Sequence, residues 1–155
     1  MALNLMERVM FLRGTGLCGR LADTALRAIA EVAEERRLDP GQLLCVEGDL
    51  GTDMFLVVEG EVEVRRLGRR PDPQARGDAL GRTIVALGRG ECVGEMSVLD
   101  EEPRSATVIC RDAVRVLAIQ KEDLRDAIAL CPDLAFGLFR VLARRLRDTS
   151  ARNPG

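Results

Sequence analysis

The stretch Gly94-Glu95-Met96-Ser97-Val98-Leu99-Asp100-Glu101-Glu102-Pro103-Arg104-Ser105-Ala106-Thr107-Val108 carries most of what this chain has to say. Gly94 ends a short extended run and lets the backbone turn tightly, because it has no Cβ. The five residues after it suit one helical turn, whose first N–H groups have no intrahelical acceptor and form an anion site. Pro103 stops that turn and sends the chain into a strand that starts near Ser105. At the junction, Arg104 offers a planar guanidinium suited to forked contact with phosphate oxygens. Ser105 adds a hydroxyl. Amides, helix dipole, cation and hydroxyl converge, and a phosphate is the guest they fit. Glu95, a carboxylate beside them, suits a sugar hydroxyl. A plainer reading uses the same residues: Glu95 and Arg104 form an ion pair that pins the loop. Spacing alone leaves both open.

Outward from this stretch the chain reads as short β-type runs at 42–46, 54–59, 61–66, 82–87, 106–110 and 114–119. Glu61-Val62-Glu63-Val64 alternates, which predicts one wet face and one buried face. Ten of the 15 glycines fall between Gly41 and Gly94, so turns are dense exactly where the strands are short. That pattern predicts a mainly β fold, a jelly-roll or double-stranded β-helix roll rather than a parallel α/β sheet. The segment 67–81, rich in Pro, Gly and Arg, reads as a hairpin loop. Arg65, Arg66, Arg69, Arg70 and Arg76 could touch an anionic partner there, although a solvated tip is the simpler account.

Helices are predicted at both termini. Leu5, Met6, Val9 and Met10 share one helical face before Gly14-Thr15-Gly16 breaks the pattern. A second run carries Leu26, Ile29, Ala30 and Ala33, with Asp23 or Thr24 as N-cap and Arg36 and Arg37 near its end, where cations suit the helix dipole. After the strands come a helix near Lys121–Leu130, a break at Cys131-Pro132, and a last helix striped with Leu134, Leu138, Leu142 and Leu146. The expected layout is one domain over 1–155: a helical entry 1–39, a β-roll 40–119 and closing helices 120–148.

Composition excludes whole classes of chemistry. The 155 residues contain no His, Trp or Tyr, and Lys121 is the single lysine among 23 basic residues. Ser-His, Cys-His and His-ligated metal chemistry are therefore excluded, and a binding domain is expected rather than an enzyme. A net charge of −2 argues against a non-specific nucleic-acid footprint. No run approaches the ~18 apolar residues of a membrane span. Cys18, Cys45, Cys92, Cys110 and Cys131 are odd in number and widely spaced, which predicts reduced thiols, no metal site and a cytoplasmic setting.

The stretch from Val93 resembles the phosphate-binding cassette of the cyclic nucleotide-binding domain family, whose fold is the catabolite activator protein-like β-roll. The family pattern runs Phe-Gly-Glu-x-Ala-Leu, a short spacer, then Pro-Arg-Ala/Ser-Ala-Thr. Here it reads Val93-Gly94-Glu95-Met96-Ser97-Val98, a spacer through Glu102, then Pro103-Arg104-Ser105-Ala106-Thr107. Pro40-Gly41, Glu47-Gly48-Asp49 and Gly60-Glu61-Val62 are also similar to the family, and the likeness runs from about Leu5 to Arg147. The resemblance implies that Glu95 binds the ribose 2′-hydroxyl and Arg104 the exocyclic phosphate oxygens. Gly94, Met96 and Ser97 amides, with Ser105, would complete the cradle. Val85, Cys92 and Val93 would flank the base, with Leu142, Arg145 or Leu146 of the last helix as its lid. Ser105, where a threonine favours cGMP in some relatives, makes cAMP the expected ligand and cGMP the alternative. The implied role is a cAMP-sensing regulatory domain that moves its C-terminal helix, standing alone, as a homodimer or within a larger parent protein. The alternative is a dimerisation module of the same fold that has lost its ligand. No DNA-binding segment is expected in this chain.

Overall fold

The computed structural model describes residues 1–66 and 82–152, without the side chains of Arg82 and of residues 149–152. The hairpin segment 67–81, with Arg69, Arg70 and Arg76, lies outside the described residues. The chain divides into two compact units, one of residues 34–121 and one of residues 1–33 with 122–155.

The first unit is the roll. It holds β1 (Glu34–Leu38), β2 (Leu43–Cys45), β3 (Asp53–Glu59), β4 (Val62–Arg66), β5 (Arg82–Leu87), β6 (Cys92–Val93), α3 (Glu95–Asp100), β7 (Thr107–Cys110) and β8 (Val114–Gln120). Two four-stranded sheets form, in the orders β1-β8-β3-β6 and β2-β7-β4-β5. Every pairing is antiparallel. Phe55, Val57, Val93, Val114, Val116 and Ala118 from the first sheet meet Cys45, Val62, Val108 and Cys110 from the second in one apolar cluster. Burying a side chain of the size of Phe or Val stabilises by about 1.5–3 kcal/mol, so this cluster is what fixes the register of the sheets.

The expected wet face of β4 is not wet. Glu63 is only 9% exposed. Its carboxylate accepts from Arg65 Nε and Nη2 at 3.0 and 2.7 Å, from Thr83 Oγ1 at 3.2 Å and from Arg111 Nε at 2.6 Å. Alternation is right, but arginine stems cover the polar side. A cavity of about 400 Å³ adjoins this network, lined by Gly41, Glu63, Arg65, Ile109, Cys110 and Arg111. It shares no residue with the cassette.

The second unit holds α1 (Leu5–Arg13), α2 (Asp23–Val32), α4 (Lys121–Leu130, whose first residue belongs to the roll) and α5 (Asp133–Arg152). Asn4 caps α1 in a reciprocal capping box with Glu7. The apolar face foreseen for α1 is corrected: Met6 and Met10 are exposed, whereas Phe11 and Leu12 are buried. Apolar side chains lie all round this short helix, so periodicity did not select the inward side. The N-cap of α2 is Ala22, not Asp23 or Thr24, and no side chain caps it. Its C-terminal end is served by Arg8, which donates to the carbonyls of Ala30 and Ala33 at 3.3 and 2.6 Å. A cation was expected there, but it comes from α1. Arg36 and Arg37 instead belong to β1, because the helix stops at Val32. Gly137 on α5 lies against Leu17, where a Cβ would overlap the Leu17 carbonyl oxygen. Among the described residues no helix is long and apolar enough to cross a membrane.

Candidate functional site

β6 ends at Val93, and Gly94 turns the chain into α3 with φ 80°, the left-handed region that glycine enters at little cost. The first-turn amides of α3, including those of Met96 and Ser97, have no intrahelical acceptor. After one and a half turns Glu101 also adopts a left-handed φ of 60°. Asp100 accepts from the Glu102 N–H at 3.0 Å, and Lys121 Nζ lies 2.9 Å from the Glu101 carboxylate. These contacts, rather than Pro103 alone, end the turn. The acidic run Asp100-Glu101-Glu102 thus has a local structural use.

Arg104 is 8% exposed although it is a cation. Its Nη1 donates to the Gly94 carbonyl at 2.9 Å and its Nη2 to the Asp53 carbonyl at 2.7 Å. The guanidinium also stands 5.9 Å from the centroid of the Phe55 ring. Charge-assisted hydrogen bonds contribute about 1.5–3 kcal/mol each, which offsets much of the cost of taking the cation from water. Two glycines make room for it: a Cβ on Gly51 would overlap Cζ and Nε, and one on Gly94 would overlap Nη1. The backbone of Arg104 is tied as well, its N–H to the Asp49 carbonyl at 2.7 Å and its carbonyl to the Gly48 N–H at 2.9 Å. Thr107 Oγ1 accepts from the Glu47 N–H at 2.9 Å. The strand leaving the cassette is therefore stitched to the turn before β3.

Glu95 is 2% exposed, and Ser97 is also buried. Burial pushes the Cys45 thiol up to about 11, against the lowering field of Arg104, while Glu95 and Asp53 raise it further.

A sequence model of the cyclic nucleotide-binding domain matches residues 35–130. The chain belongs to the cyclic nucleotide-binding domain family. It is 39% identical over 117 residues to the cyclic AMP receptor protein of Thermus thermophilus, covering 74% of this chain and 50% of that protein. It is 32% identical over 132 residues to a cyclic nucleotide-gated potassium channel of Mesorhizobium japonicum, covering 85% of this chain and 33% of the channel. The crystal structure of the Thermus thermophilus catabolite activator protein superposes with a TM-score of 0.76 at 32% identity, over 89% of this chain and 61% of that one. A cyclic nucleotide-binding domain from Methylobacillus flagellatus gives 0.78 at 25% identity, over 96% and 82%. This chain thus spans half or less of the length of these two curated relatives. The family is one of regulatory binding domains, not of catalysts, and the β-roll with flanking helices is its fold.

In this cyclic nucleotide-binding domain the residues predicted as a site fall into three groups. Gly94, Glu95, Met96, Ser97, Arg104 and Ser105 form one contiguous cassette, with the Met96 and Ser105 side chains exposed. Val85 is half-buried opposite Val64, and Val93 lies opposite Phe55 on the core side. Cys92 pairs with Leu56 instead, so strand alternation turns it to the other face of the sheet from Val93. Adjacency in sequence could not bring both to one ligand. Leu142 and Arg145 are half-buried and Leu146 exposed on α5, in the helical unit.

Sequence reading missed Gly51, Asp53, Phe55 and Arg36. Asp53 Oδ2 accepts from Arg36 Nη2 at 2.8 Å, and Arg36 stands 5.8 Å from the centroid of the Phe55 ring that also carries Arg104. The Gly48-Asp49-Leu50-Gly51 turn was the one local signal available, and nothing local tied it to an arginine more than fifty positions away.

Proposed function

We propose that this domain binds cAMP, cGMP being the alternative ligand, and converts binding into a movement of α5. The observation that carries the reading is the single cassette in which a buried Glu95 and a buried Arg104 flank the first turn of α3 behind the left-handed Gly94. In this reading Arg104 and the amides of Met96 and Ser97 take the phosphate oxygens, helped by Ser105 and by the Gly94 amide. Glu95 takes the ribose 2′-hydroxyl. Val85 and Val93 border the base, and Leu142, Arg145 or Leu146 covers it. The names of relatives support cAMP: a cyclic AMP receptor protein and the regulatory subunit of a cAMP-dependent protein kinase are among them. All five cysteines are free thiols, which fits a reducing, cytoplasmic setting.

Calorimetric titration with cAMP and cGMP tests the proposal. Arg104→Ala should cost about 2–5 kcal/mol of binding, because it leaves a desolvated phosphate without its cation. No heat and no rise in melting temperature at millimolar nucleotide would overturn it.

A second reading, a dimerisation module, rests on α5 itself. Phe136, Phe139 and Leu146 are 60, 59 and 69% exposed. With Ala143 they recur at the three- and four-residue spacing of a coiled-coil seam. Sedimentation equilibrium separates the readings: self-association lost in a Phe136→Ser, Phe139→Ser double variant and indifferent to nucleotide favours the module.

A further inference from the structure

We infer that Arg66 is a second cation of the phosphate cassette, raising affinity for the cyclic phosphate from the roll side; the inference rests on the cyclic nucleotide reading above. The argument begins with the faces of β4. Val62 lies opposite Cys110 and Val64 opposite Val108, and all four belong to the core cluster or pack against it. Glu63 and Arg65 point to the other face, where they bond to each other. Arg66, two residues beyond Val64, therefore continues the core-facing row past the end of the apolar cluster.

The irregularity in this part of the sheet does not disturb that row. Val64 pairs with Val85 but Arg65 pairs with Thr83, so the extra residue, Ile84, is absorbed by β5 and β4 keeps its alternation. The Thr83 hydroxyl, bonded to Glu63 on the outer face, is where this phase requires it.

At the end of the row Arg66 Nε donates to the carbonyl of Ser105 at 3.1 Å, across 39 positions of sequence. Ser105 is the residue after Arg104, so Arg66 is bonded beside the residue that carries the other guanidinium, which itself reaches the carbonyls of Gly94 and Asp53. They are not equivalent. Arg104 is buried and anchored on two carbonyls, whereas Arg66 is exposed and engages Ser105 through one of the five donors a guanidinium carries. The nearest acid along β4, Glu63, is occupied on the opposite face by Arg65, Thr83 and Arg111 and does not neutralise Arg66. A guanidinium tethered at the cassette rim adds attraction for a phosphate at little further cost in side-chain freedom. Arg66, at the end of β4, thereby gains a use beyond solubility.

The test is a calorimetric titration of cAMP into the wild type and into Arg66→Ala, Arg66→Gln and Arg66→Lys, at low and high ionic strength. At low salt, Arg66→Ala and Arg66→Gln should bind about three- to tenfold more weakly, the size of one partly solvated charge-assisted contact. The deficit should shrink at high salt, and Arg66→Lys should stay within about twofold of wild type. Melting temperatures should not change, because the side chain is exposed. Equal low-salt affinity of Arg66→Ala and wild type overturns the inference. So does a deficit that salt leaves untouched and that glutamine repairs, since that describes a clamp on the Ser105 carbonyl alone. A wild type that binds no cyclic nucleotide overturns the parent reading too, which separates the two failures.

Discussion

Gly51 and Arg104 claim one volume: the space a Cβ would take on the glycine is filled by Cζ and Nε of the guanidinium. The seat is completed by the carbonyls of Gly94 and Asp53 and the face of Phe55. Gly51→Val should therefore expel the guanidinium and weaken cAMP binding by about tenfold or more, since the charge-assisted bonds at risk are worth about 1.5–3 kcal/mol each. In an Arg104→Ala background the same change should have little further effect. A double-mutant cycle read by calorimetry checks this, and additive losses would show that Gly51 acts elsewhere.

Gly94 carries two constraints at once, a φ of 80° and a guanidinium nitrogen where a Cβ would sit. Gly94→Ala should lower stability by about 1–2 kcal/mol from the backbone alone, and it should reduce binding besides. At Gly88 a Cβ would meet its first atom at 3.8 Å, and the backbone there is not left-handed. Gly88→Ala is thus the control, expected to melt close to wild type in a denaturation series.

Glu63 links acidity to stability. Hydrogen bonds from Arg65 hold its carboxyl below the ordinary value of 4.5, against burial that raises it, with Thr83 and Arg111 adding to the lowering. A carboxylate depressed on folding contributes stability that is fully present above its ordinary pKa and is lost as pH falls through the lowered value. Glu63→Gln should melt below wild type at neutral pH, and the gap should close as the pH drops below 4.5. Melting curves from neutral to acid pH test the sign.

The thiols should differ in reactivity. Burial pushes Cys18 up to about 12, despite a hydrogen bond with Thr15 that lowers it, and pushes Cys45 up to about 11. Cys131 is half-buried rather than buried. Because the thiolate is the reacting form, a disulfide reagent at mildly alkaline pH should label Cys131 first and the others after unfolding. Comparable labelling of native Cys18 would contradict the packing.

What could be read from sequence was what is local. The glycine, the single turn and the arginine of the cassette sit within a dozen residues, and each has its own chemical signature. Lys121–Leu130 was legible as a helix and the strand Arg82–Leu87 as a strand. β1 was not: Glu-Glu-Arg-Arg-Leu has no apolar alternation, because it is an edge strand, where charges are normal. Arg36 and Arg37 follow an amphipathic run closely enough to read as its end, but the chain turns at Ala33 with ψ 134°. β6 has two residues, too few for any period. Gly51, Asp53 and Arg66 reach the cassette only through the closing of the roll, so no window of sequence contains the relation.

The bond from Arg104 to the Gly94 carbonyl closes residues 94–104 into a ring. Mechanically, that makes the cassette a clamped handle rather than a hinged flap, with both ends fastened to the roll. Its entropy of closure is already spent in the folded chain. Gly94 and Glu101 are its two left-handed positions, and Lys121 Nζ lies 2.9 Å from the Glu101 carboxylate.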